Sequence, residues 1–167
     1  SISKGENDVP LRKELEHVRC YLDIEQIRNE NLFEYEIEAD EAVQQAVIPK
    51  IILQPVVENS IKYGFAHMDD GGKIKVTARS MEGFIELCVK NNGSVIETEV
   101  LEKLNQMQYQ GMEQIRKTFP QKRGGYGISN VVCRLCLRYG DKFRISYKST
   151  KETGTVCMIR LPIEKGV

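Results

Sequence analysis

Apolar residues first recur on one helical face. Leu11, Leu15, Val18 and Leu22 are spaced four, three and four apart, and charged residues fill the other face. This spacing predicts a helix over residues 10–30, opened by Pro10, whose fixed φ suits a first turn. The period then changes to two. Leu32 to Glu38 (LFEYEIE) alternates apolar and acidic, as a half-buried strand with one wet face does. Asp40 can cap a short helix over residues 41–46. Pro49 opens another helix, rich in Ile, Leu and Val, that ends at Gly64. Alternation returns at 73–80 and 84–90, a hairpin around Gly83 that follows a turn at Gly71 and Gly72. Residues 97–117 are polar and weakly helical, with no clear core pattern. A loop at 120–125 precedes a helix over 126–139, which Gly140 stops. Two more alternating strands, 143–149 and 155–161, flank a turn at 151–154.

Strand pairs separated by helices predict an α+β two-layer sandwich: a mixed, mostly antiparallel sheet with helices on one face. The length of 167 residues suits one domain, with 1–9 as a polar linker and 10–167 as the domain. No run of 18 apolar residues exists, which excludes a membrane-spanning helix, and the polar N-terminus lacks the core of a signal peptide. Five cysteines, an odd count at irregular spacing, point to a reducing compartment rather than a disulfide framework. Cys133 and Cys136 form a CxxC, but inside a helical pattern with no second pair, so they read as a packing pair. His17 and His67 read as ordinary surface histidines.

Charge adds one feature. Lys plus Arg equals Asp plus Glu at 24 each, which argues against a nucleic-acid binder acting through overall basic charge. The balance hides a split. Residues 1–83 carry 10 basic and 16 acidic side chains, net −6, whereas 84–167 carry 14 and 8, net +6. A basic half suits an anionic ligand.

Four places concentrate functional residue types. In Gln54 to Gly64 (QPVVENSIKYG), Glu58, Asn59 and Lys62 interrupt an apolar helix, and spacings of three and four put Glu58 or Asn59 on the side of Lys62. Either Asn59 bonds neighbouring backbone and the charges are solvated, or its amide oxygen serves as a hard ligand suited to magnesium. Asn91, Asn92 and Gly93 end a strand and alone read as a turn. Gly124 to Asn130 (GGYGISN) leads into a helix, where glycines let backbone N–H groups approach a phosphate; Lys122 and Arg123 precede it. Gly154 and Thr155 open the last strand.

In this order the four segments resemble the N box, the two glycine boxes and the closing Gly-Thr strand of the GHKL ATPase superfamily, the Bergerat fold. The likeness is nearest to the C-terminal ATP-binding domain of LytS-like bacterial sensor histidine kinases, which read roughly LQPLVENAIKHG, then DNGxG, then GIGLxNVxxRL. Here these are Leu53 to Gly64, Asn91 to Val95, and Gly125 to Leu135. The leading helix, with Glu14, Leu15, Tyr21 to Glu25 and Arg28, is similar to that branch too.

The resemblance implies ATP and Mg2+ as ligands. Asn59 holds the metal and Glu58 beside it polarises groups near the reacting phosphate, these two being the catalytic pair. Lys62 lies near the phosphates, Gly125 and Gly127 supply the phosphate cradle with Asn130 following, Asn91 and Gly93 form the adenine end, and Thr155 sits by the adenine. Residues 94–123 are the ATP lid. The phosphoacceptor His lies upstream in a dimerisation segment, the parent is a homodimeric membrane-anchored sensor with this domain in the cytoplasm, and a response regulator receives the phosphate. Nucleic acid is not a partner.

Two departures bear on activity. The family's adenine-contacting Asp is Asn91; neutral hydrogen bonds are worth about 1 kcal/mol against roughly 1.5–3 for charged ones, so ATP binds about tenfold more weakly. Val95 replaces the second glycine of that box and removes a residue tolerant of positive φ, and Tyr63 replaces the usual His. The alternative reading is therefore a degenerate, non-catalytic module of the same fold that signals through protein contacts. Another GHKL ATPase, of the chaperone or mismatch-repair kind, fits less well because the lid is short and no transducer domain follows.

Overall fold

The computed structural model describes residues 7–118 and 127–163. The chain runs β1 (Asp8–Pro10), α1 (Leu11–Arg28), β2 (Phe33–Ala39), β3 (Val47–Pro49), α2 (Gln54–Asn59), β4 (Gly72–Met81), β5 (Phe84–Asn91), α3 (Thr98–Gln106), α4 (Met112–Thr118), α5 (Ile128–Tyr139), β6 (Arg144–Thr150) and β7 (Gly154–Pro162). Five strands form one sheet in the order β2-β4-β5-β7-β6. β2 pairs parallel with β4 and the other neighbours pair antiparallel, so the sheet is mixed, as the alternation predicts.

Period-two patterning decides which face is covered. Ile74, Val76 and Ala78 of β4, Ile85, Leu87 and Val89 of β5, and Cys157, Ile159 and Leu161 of β7 are buried. They meet Leu11, Leu15, Val18 and Leu22 of α1 and Val131, Val132 and Leu135 of α5 in one core. Glu34, Glu36, Glu38, Lys73, Lys90, Arg144 and Lys148 are exposed on the other face. Lys75 lies 3.8 Å from Glu36 and 3.4 Å from Glu38, so the acidic strand meets part of its countercharge on its own neighbour. Among the described residues no helix is long and apolar enough to cross a membrane.

Four expectations are corrected. Asp40 does not cap a helix over 41–46. Only one 3-10 turn forms, Glu41–Val43, and Asp40 Oδ2 instead accepts the Ser80 N–H of β4 at 2.9 Å. The helix from Pro49 to Gly64 is broken up: Val47–Pro49 is strand, α2 begins only at Gln54, and Ser60–Gly64 continues it as a π turn. The partner of β3 is β1, which takes Asp8 and Val9 out of the supposed linker. Local periodicity cannot show such a pairing, because the two strands are far apart in sequence. The CxxC does behave as a packing pair: Cys133 is buried, Cys136 is half-buried, and burial pushes both thiols up, away from thiolate chemistry.

The fourth correction concerns the polar stretch. It forms α3, a 3-10 turn over Met107–Tyr109 and α4, and Met107 and Ile115 are fully buried in the core. Its carboxamides close a sheet edge. β6 is an edge strand, and Asn105 both donates to the Tyr147 carbonyl (3.0 Å) and accepts the Tyr147 N–H (2.7 Å). Gln108 does the same for Ile145, at 2.7 and 3.0 Å. Each side chain replaces the backbone of a missing strand and removes a template for unwanted pairing. Asn105→Ala together with Gln108→Ala is expected to lower stability by about 2–4 kcal/mol, at about 1 kcal/mol per hydrogen bond, and to promote self-association. Urea unfolding and light scattering check both outcomes.

Candidate functional site

Two polar side chains stand on the covered face of the sheet, at one end. Asn91 closes β5 and is directly paired with Ile74 on β4 and with Thr155 on β7. Both Asn91 and Thr155 are buried. Asn91 Nδ2 donates to the Asn92 carbonyl at 2.7 Å, which leaves Oδ1 without a hydrogen bond among the described residues. The Thr155 hydroxyl is 2.7 Å from Ser149 Oγ, which also accepts the Ile96 N–H at 2.9 Å. Asn92 has a structural task. Its carboxamide bonds the Gly71 carbonyl and the Lys73 N–H and ties down the turn before β4.

Two distant segments pack so closely on Asn91 and the turn after it that only glycine fits at three positions. A Cβ on Gly64, which ends the π turn, would lie 2.4 Å from Asn91 Nδ2. A Cβ on Gly93, whose φ is +104°, would lie 2.1 Å from the Gly64 carbonyl oxygen, and that oxygen accepts the Ser94 N–H at 2.8 Å. One on Gly154 would lie 2.2 Å from the Asn91 carbonyl oxygen. Three of the sequence segments singled out above therefore meet in backbone contact. Sequence reading treats Gly64 only as a helix stop and misses Ser149; Gly64 has a signal in its place at the end of the N box, while Ser149 has none. Val95 is not among the described residues with positive φ; in that box Gly93 carries the unusual φ.

On α2, Glu58 and Asn59 are half-buried and Lys62, in the π turn, is exposed. Glu58 Oε1 accepts from Gln54 Nε2 at 3.0 Å. The Asn59 carboxamide makes no hydrogen bond among the described residues. Lys62 does not stack with Glu58 as α-helical spacing predicts. The helix changes pitch at Ser60, and the Lys62 ammonium lies 5.2 Å over the Tyr63 ring. Tyr21 of α1 faces the same region. Burial first, then the negative charges of Glu25 and Glu58, push its hydroxyl up to about 12.

Gly127 sits at the start of α5, where its carbonyl accepts the Asn130 and Val131 N–H groups, and a Cβ there would meet only Ser129 Oγ, at 3.9 Å. A side chain at Gly127 would thus meet little among the described residues. Asn130 is half-buried one turn in. Gly125, Lys122 and Arg123 lie outside the described residues. No group of three or more His, Cys, Asp or Glu among the described residues could hold a metal. A cation here must depend on few protein ligands, such as one amide oxygen, and take the rest from water or a ligand's phosphates.

Two outcomes follow from this geometry. Gly93→Ala is expected to cost about 1–3 kcal/mol or more, since it combines a left-handed φ with a backbone clash; denaturant unfolding measures it. Tyr21 holds its proton more tightly folded than unfolded. Its contribution is complete below the ordinary value of 10.0 and is lost as pH rises toward about 12. Tyr21→Phe should therefore flatten the alkaline fall in melting temperature.

A family profile described as "Histidine kinase-, DNA gyrase B-, and HSP90-like ATPase" matches residues 45–165. The sensor protein LytS of Bacillus subtilis (strain 168) is 30% identical over 158 residues, covering 94% of this chain and 25% of that protein. The sensor histidine kinase BtsS of Escherichia coli (strain K12) is 29% identical over 154 residues, covering 92% and 24%. The chain thus spans about a quarter of the length of the curated relatives it matches. Among solved structures, the nucleotide-free catalytic domain of histidine kinase ThkA superposes with a TM-score of 0.64 at 20% identity, covering 93% of this chain and 94% of that one. ThkA in complex with response regulator TrrA gives 0.62 at 19%, covering 94% and 41%. These likenesses share the fold just described, and the family match takes in Asn59, Asn91, Gly127 and Thr155: the chain belongs to the histidine kinase-, DNA gyrase B- and HSP90-like ATPase family.

Proposed function

We propose that this chain is the catalytic ATP-binding domain of a two-component sensor histidine kinase. The observation that carries the reading is the convergence of Gly64, Gly93 and Gly154 on Asn91, beside Thr155, at one end of the covered sheet face. Three separated segments have little reason to meet in backbone contact around polar side chains unless a ligand is read there.

In this reading the adenine lies at Asn91 and Thr155, with the free Asn91 Oδ1 accepting from the exocyclic amine. The phosphates run toward Gly127, whose helix start offers N–H groups and the positive end of the α5 dipole. The unpartnered Asn59 amide holds Mg2+, and Glu58, steered by Gln54, orients groups at the reacting phosphate. Magnesium, when bound, neutralises charge on the phosphate oxygens. Lys62, though exposed, can reach the outer phosphates by its long stem. In the transfer itself, the bond from the γ-phosphorus to its bridging oxygen breaks as a bond to an imidazole nitrogen forms, and ADP leaves. That imidazole belongs to a segment upstream of this domain in a homodimeric, membrane-anchored parent, with the domain in the cytoplasm. A response regulator takes the phosphoryl group on.

Calorimetry with ATP and magnesium tests the reading: saturable binding is expected, and no binding at about millimolar nucleotide, a level worth only about 4 kcal/mol, overturns it. Asn91→Asp should tighten ATP about tenfold. The same change costs about 1 kcal/mol of stability, because the Nδ2 donor to Asn92 is lost. Asn59→Ala should abolish the magnesium dependence of binding.

A further inference from the structure

The turn that leads into α2 is held in a costly conformation from two sides. Ile51 has a φ of +59°, a region that β-branched residues avoid because Cβ crowds the neighbouring carbonyl. Three consecutive N–H groups of this turn point at one carboxylate, that of Glu14 on α1. Ile51 donates to Oε2 at 2.9 Å, and Ile52 and Leu53 donate to Oε1 at 2.8 and 3.2 Å. Glu14 is only 3% exposed, so these bonds are what keeps its charge tolerable. From the opposite side Arg134 of α5 donates to the carbonyls of Ile51, at 3.0 Å, and of Lys50. The N–H groups of one turn are thus held by α1 and its carbonyls by α5.

The turn also begins the helix that carries the proposed metal ligand. The Leu53 carbonyl accepts the Val56 and Val57 N–H groups, at 3.1 Å each, and α2 runs from there to Asn59. Asn59 lies six residues beyond Leu53, about 9 Å along the axis, a span too short to bend independently. Arg134 stands about two turns along the helix that Gly127 opens. Apolar contacts through Leu11, Leu15, Val18 and Leu22 already seat α1. What the carboxylate adds is direction: it sets where α2 starts relative to α1 and α5.

We infer that Glu14 is a positioning residue for the Asn59 amide, with Arg134 closing the clamp, so that the Ile51 turn aligns Asn59 with the helix start at Gly127. This rests on the reading of Asn59 as a magnesium ligand. Mispositioning should therefore injure the metal-dependent part of nucleotide binding and spare the adenine end at Asn91 and Thr155.

The test measures ATP affinity with excess magnesium and with EDTA, for the wild type, Glu14→Gln, Arg134→Ala and Asn59→Ala. Gln keeps one acceptor oxygen but turns an NH2 group toward the Ile51 N–H. Glu14→Gln is expected to melt cooperatively, to keep the wild-type affinity in EDTA, and to lose about tenfold to 100-fold of the magnesium enhancement, the usual cost of losing a group that orients a metal ligand. Arg134→Ala should move the same way by less. The nucleotide-free protein supplies a second readout: the Asn59 side-chain NH2 resonances should shift in Glu14→Gln. A wild-type magnesium enhancement in both clamp variants, with Asn59→Ala having lost it, overturns the inference and leaves the metal-ligand reading standing. Enhancement retained in Asn59→Ala overturns the metal-ligand reading and the inference with it. Should Glu14→Gln not fold, Arg134→Ala decides, and an unchanged enhancement there overturns the inference.

Discussion

A carboxylate removed from water has to be met by donors, and Glu14 is met by three consecutive backbone N–H groups. Hydrogen bonds to a charged group are worth about 1.5–3 kcal/mol each, so losing them would take a large part of a domain's net stability. The constraint works in both directions. Glu14 would not stay buried without the turn at residues 51–53, and that turn would not hold a β-branched residue at positive φ without Glu14 and Arg134. Helix α1, the start of α2 and the flank of α5 are thereby locked into one arrangement before any ligand arrives.

The far end of α2 is fixed by contact of a different kind. The π turn carries Gly64 into the end of β5, where the absence of a side chain lets its backbone lie against Asn91 and Gly93. α2 is therefore pinned at its start by charge-assisted hydrogen bonds and at its end by steric fit. A short helix held at both ends can present Glu58 and Asn59 at a constant depth, half out of the core. That depth is compatible with the roles proposed for them.

The sheet separates support from chemistry. One face carries the core, and the polar pair Asn91 and Thr155 appears only at its end, where β5 and β7 run out. The vulnerable edge at β6 is closed by Asn105 and Gln108, which explains why a segment that reads as a featureless polar lid is rich in carboxamides. The charge split is likewise partly structural. The acidic β2 face finds Lys75 on β4, so only part of the imbalance is left to act on a ligand.

The sequence by itself determined the alternating strands, the amphipathic first helix, the order of the glycine and asparagine boxes and hence the family. Those features are local, and period and spacing record them directly. Tertiary structure alone decided the rest. Asp8 and Val9 become strand because residues 47–49 come to meet them, and Asp40 leaves its expected cap because the Ser80 N–H on another strand competes for it. Lys62 turns outward because the helix changes pitch one residue after Asn59. The positive φ of the asparagine–glycine turn falls on Gly93 and not on Val95. Above all, Glu14 enters the sequence reading only as part of the leading helix that the family shares, with no partner assigned. Its role depends on N–H groups 37 to 39 residues away, and no local pattern encodes a partner brought close only when the whole chain packs.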